Sequence, residues 1–180
     1  MPSAESRQAN KISELIAWKA KCAKNAAQIV NNRQFEHRLG SDRQSVLDLA
    51  PYHIEGMPFD LANKTIAAIE RDQLNEAVVD ISGAFAKTYE FLKHIIKEET
   101  DYNHDPEMQN ALYSTIEQHK IIREVLKVYM DEHDLKLDNI DNIEFDHYDE
   151  KSMRDNQSYI IIRDYIQLCS SVEGRFNIGE

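Results

Sequence analysis

The sequence predicts an all-α fold: a bundle of four long helices plus one short helix, with one irregular acidic loop. Three observations carry this reading. The four prolines, Pro2, Pro51, Pro58 and Pro106, leave segments 3–50, 59–105 and 107–180 free of the residue that most disrupts a helix interior. Apolar side chains recur through those segments at three- and four-residue spacing. Only five glycines, at positions 40, 56, 83, 174 and 179, add further breaks.

The first helix is predicted from Ser3 to Leu39, with its first ten residues polar and prone to fray. Its inward face comprises Ile12, Leu15, Ile16, Cys22, Ala23, Ala26, Ala27, Ile29 and Val30, and the alanines allow a neighbouring helix to approach closely. Gly40 ends it, and Ser41 is the expected cap of a short helix through Ala50. Residues 51–58 carry aromatic and apolar groups and read as an ordered crossing loop.

Asp60 is the expected cap of a second long helix ending near Glu99. Leu61, Thr65, Ala68, Leu74, Val78, Ile81, Phe85, Thr88, Leu92 and Ile95 follow a near-heptad rhythm, as on a helix seated against others. Gly83 falls mid-helix, which costs ~1 kcal/mol against alanine and suggests a close helix crossing there. Pro106, capped by Asp105, opens a third long helix to about Leu135 along Leu112, Ile116, His119, Ile122, Leu126 and Tyr129. Residues 136–150 break the period and read as a loop or a small strand pair. The last helix is expected from Lys151 to Val172, with Tyr159, Ile162, Tyr165, Ile166 and Cys169 inward and 174–180 loose.

With no repeat and no low-complexity tract, residues 1–180 form one domain. No apolar run approaches the ~20 residues of a membrane span. The N-terminal residues lack the basic start and apolar core of a secretory leader, so a cytoplasmic location is expected. Cys22 and Cys169 have neither CxxC nor zinc spacing, and buried, reduced thiols are expected. The formal charge of −11, from 32 acidic against 21 basic residues, opposes phosphate backbones and favours a partner with a basic surface. The basic cluster Lys11, Lys19, Lys21 and Lys24 is too small to make nucleic acid the expected partner. Helices of this length often extend to a second subunit, so homodimerisation is a further expectation.

Candidate chemistry is sparse. Five scattered glycines and the absence of GxSxG, Walker-A, dinucleotide or HExxH patterns leave no enzyme fingerprint and imply no cofactor. The dipeptides His104-Asp105 and His133-Asp134 resemble the metal-holding pair of HD-type phosphohydrolases, but both lie in polar surroundings. Glu76 with Asp80, and Glu98 with Asp101, resemble the carboxylate pairs by which MazG-type pyrophosphohydrolases gather Mg²⁺, although the first pair is ExxxD. A divalent-metal phosphohydrolase of the all-α type built on these four is the alternative reading. Arg154 to Tyr159 resembles the Arg-to-His spacing of HEPN ribonucleases, with tyrosine in the histidine's place, a poor general base at neutral pH. The acidic stretch 131–150 lacks the glycine of an EF-hand loop, but Phe145, His147 and Tyr148 set among carboxylates suit docking on a basic partner. Trp18, the only tryptophan, lies off the main stripe of its helix and is a candidate interface anchor. The leading expectation is a non-catalytic protein–protein interaction module.

Overall fold

The structure, a computed structural model, describes residues 4–58 and 73–176. Within them lie helices α1 (Ala4–His37), α2 (Arg43–Leu49), α3 (Leu74–Glu98), α4 (Pro106–Glu132) and α5 (Lys151–Phe176), and no strand. Four are long and one is short, as the apolar spacing predicts. The expected cap Asp60, with Leu61, Thr65 and Ala68, lies outside the described residues.

Helix ends follow local chemistry. Gly40 adopts φ +62° and Ser41 donates its amide to the Phe35 carbonyl at 2.8 Å, closing α1 two residues before Leu39. Asp42, rather than Ser41, caps α2: its carboxylate accepts from the Gln44 and Ser45 amides, while Ser41 itself takes a left-handed turn. Asp105 caps α4 as expected, accepting from the Glu107 and Met108 amides at 3.1 Å, with Pro106 in the first turn. The last helix runs past Val172 to Phe176, because the Phe176 ring is buried in the core and holds the final turn in place.

Cross-helix contacts set the directions. Arg33 reaches Asp105 at 3.2 Å, so the end of α1 meets the start of α4. Gln34 bonds Ser158 near the start of α5, and Lys24 pairs with Glu173 near its end. Asn75 bonds Tyr129, and the Phe85 carbonyl bonds His119, so α3 also opposes α4. Hence α1 and α3 run one way, α4 and α5 the other. Successive helices that run parallel require a connection as long as the rod. Residues 133–150 supply it: α4 is about 40 Å long at 1.5 Å per residue, and this strap climbs back along α3 to start α5 at the opposite end. Of the two expected forms, the irregular loop is the one present, and no strand pair forms there.

The described residues that the period marks on α3, α4 and α5 are buried, with Ile166 only partly covered, and others such as Phe91, Ile161 and Leu168 join them. On α1 the buried stripe is Ser13, Ile16, Ala17, Ala20, Ala23, Ala27, Val30 and Gln34. Alanines let α4 and α5 pack closely on that side. Leu15 and Ile29, expected inward, therefore face out, and Cys22 is only half-buried. The neighbour over Gly83 is not a helix but Leu137 of the strap.

The centre of the core is polar but satisfied. His119 is fully buried, with Nε2 2.8 Å from the Phe85 carbonyl and Nδ1 3.0 Å from the Tyr165 hydroxyl. A carbonyl can only accept, so Nε2 carries the proton and bare Nδ1 accepts from Tyr165. Burial pushes this histidine down to about 3, and the Cys169 thiol below it up to about 12. His119 is thus a neutral core residue.

Candidate functional site: a closed ion-pair network and an acidic strap

The densest polar chemistry lies where the end of α1, the turn after α3, and the starts of α4 and α5 converge. α3 ends in a π-helical turn, Glu99–Asn103, closed by His104 at φ +52°. With the wider turn following directly, both Glu98 and Glu99 are buried. Arg38, its side chain only 8% exposed, lies 2.7 Å from Glu99, 3.3 Å from Asp105 and 4.0 Å from Asp155. Arg33 adds a second cation on Asp105, and Lys151 one on Asp155. Burial works to raise the Asp105 carboxyl, but the Met108 amide, Arg33 and Arg38 outweigh it and hold the group below the usual carboxylate range. The void left is about 10 Å³, at the lower limit for one water. This network ties four chain segments together and has no room for a substrate.

Arg154 closes the same region from outside. It stacks on Tyr102, 4.2 Å to the ring centroid, and donates to the Tyr148 and Asp149 carbonyls at 2.9 and 2.6 Å. Tyr159 is five positions on, about 140° around the helix, and buried. The Arg154–Tyr159 pair therefore does not face a common point, and Arg154 serves as a clamp on the strap.

The four candidate metal ligands do not meet. Glu76 and Glu98 belong to one continuous helix, which separates the two pairs by about 33 Å at 1.5 Å per residue. Glu76 and Asp80 face solvent; Glu98 is buried with His94 at 3.3 Å; Asp101 pairs with Lys97 on the surface. Both His-Asp dipeptides are helix ends. His104 holds a left-handed turn beside the Asp105 cap, and His133 stacks on Tyr129 with Nδ1 on that residue's carbonyl. Among the described residues no three His, Cys, Asp or Glu side chains are placed to hold a metal ion.

The strap is the second feature. Leu135, Ile143 and Phe145 pack against the core, and Leu137 lies over Gly83. Phe145 stacks on His94 and meets Phe91 edge-on, while Gln157 reaches the Asp146 carbonyl. Phe145 is therefore an inward anchor. His147 is exposed, 6.0 Å from the His94 ring, and Tyr148 is half-buried. All nine carboxylates between 131 and 150 are exposed. Trp18 stands out on α1, 56% exposed, with Lys19 over its ring.

Fold and site define the class: an all-α bundle with a long crossover from α4 to α5, a closed ion-pair network at one end and an anchored acidic strap along α3. No known protein family, curated protein or solved structure matches the chain. Among the described residues no helix is long and apolar enough to cross a membrane.

Proposed function

We propose that this chain is a non-catalytic protein–protein interaction module, of adaptor, immunity, antagonist or chaperone-like kind, whose acidic strap docks on a basic surface of another protein. One observation carries the reading: apolar anchors pin the strap to α3 while every carboxylate on it points to solvent. A charged surface held in place loses little entropy on docking and steers encounter with an opposite charge. Self-association is part of the same proposal, supported by the outward row of Leu15, Trp18 and Ile29 on α1; a light-scattering mass of one chain would end it. A cytoplasmic setting goes with two free thiols.

The test is paired affinity capture from the native host. Bait with Asp138, Asp141 and Glu144 changed to lysine is run beside the unaltered chain. The three side chains are exposed, so melting should not change. A partner retained by the unaltered chain, eluted by high salt and absent from the variant supports the reading. Identical capture by both baits ends it.

A further inference from the structure

We propose that the groove between α3, α4 and the start of the strap binds a small amphipathic carboxylate, with its head group on Arg123 and its apolar body against Leu126, Met130 and Leu137. The groove has a volume of about 450 Å³, within the range of small-molecule sites, and Ala86 and Leu135 complete its apolar wall. Its position follows from the crossover: the strap leaves α4 beside α3 and does not fill the angle between them.

Two polar groups in it stand out, one hydroxyl without a hydrogen-bond partner and one guanidinium without a carboxylate. Ser82 lines the groove, and its buried Oγ has no hydrogen-bond partner among the described residues. Thr88 and Thr115, also mid-helix, satisfy their hydroxyls on the carbonyl four residues back. Arg123 is half-buried and, among the described residues, has no carboxylate within 4.0 Å; it rests over the Tyr89 ring at 4.9 Å. A half-buried guanidinium without a carboxylate is unexpected in a chain with 32 acidic residues, and it is the natural seat for an incoming one.

The rim selects the ligand class. Lys120 and Lys127 add positive charge, although Lys120 already holds Glu117 at 2.9 Å. Glu124 and Asp131 stand exposed on the same rim and offset part of that positive charge. One inner cation with acidic neighbours suits a monoanion better than a dianionic phosphate. Beyond Arg123 a second groove contains Glu90 and Asp141, so the apolar body belongs on the Leu126 side.

Calorimetry and amide-shift mapping with decanoate test the site, with acetate and decanol as controls. Decanoate should bind saturably, with shift changes concentrated in 82–86 and 120–137, and both controls should bind at least about tenfold more weakly. Arg123→Gln should weaken decanoate about tenfold, and Arg123→Lys, which keeps the charge, by only about threefold. Lys127→Gln, on an exposed side chain, should cost about two- to threefold and provides a check should Arg123→Gln melt early. Equal binding of decanol, shift changes elsewhere, no saturation by about 1 mM, or decanoate affinity indifferent to both Arg123→Gln and Lys127→Gln would each overturn the proposal.

Discussion

Phe145 lies face to face with His94, ring centroids 4.3 Å apart and planes within 5° of parallel. The same ring meets Phe91 edge-on at 5.2 Å, so one strap residue is held by two positions a turn apart on α3. Phe145→Ala removes both contacts from a half-buried site and should cost about 2 kcal/mol, below the range for fully buried phenylalanine. Urea unfolding measures the loss, and amide exchange should rise through 136–148 more than in α1. Stability within about 0.5 kcal/mol of the parent would mean that the strap is held elsewhere.

The fold was legible because its signals are local. Leu112, Ile116, His119, Ile122 and Leu126 advance by threes and fours and all face inward on α4. Asp105 and Pro106 announce a helix start in adjacent letters. The strap was not legible as a crossover, since its course is dictated by α4 and α5 running parallel, a property of no single segment. Leu15 and Ile29 misled for a related reason: they are as oily as Ile16, and only the placement of α4 and α5 decides which side of α1 is covered. The network around Arg38 left no trace in spacing, for its members come from four separate segments. Arg123 carried no signal either, because an arginine's lack of a carboxylate is visible only in three dimensions.

Arg38 tests that network. Its loss leaves Glu99 and Asp155 buried without their shared cation, and removing one partner of a buried pair typically costs about 3–5 kcal/mol. Arg38→Met should fall in that range by chemical denaturation. Adding Glu99→Gln to Arg38→Met should recover part of the loss, because the glutamine neutralises a carboxylate left without its cation. An additive double variant would show that the two side chains do not interact.

Gly83→Ala should stabilise the protein. A methyl added there meets Leu137 Cδ2 at 3.8 Å, ordinary contact, and the residue is mid-helix with no strained backbone. Helix propensity and reduced freedom of the unfolded chain together favour alanine by about 0.5–1 kcal/mol. A lower melting temperature in the variant would show that the strap needs the glycine after all.

His119 gives the bundle a dependence on pH that one substitution can isolate. Its folded pKa, near 3, lies below the ordinary 6.5. Between those values the unfolded chain takes up a proton that the native core refuses. Stability is therefore complete above about 6.5 and declines by about 1.4 kcal/mol per unit as pH falls towards 3. Asp105, held below its usual range, adds a loss in the same direction at the acid end of that window. His119→Gln removes the titration while its amide can still donate to the Phe85 carbonyl. The variant loses stability at neutral pH through imperfect packing against Phe85 and Tyr165, yet its denaturation midpoint should vary less from pH 6.5 to 4. Asp105 is present in both proteins, so the difference between the two curves belongs to the histidine. Parallel curves would mean that the ring accepts a proton in the folded state, against the burial that disfavours its charged form and outweighs the Phe85 carbonyl, which favours it.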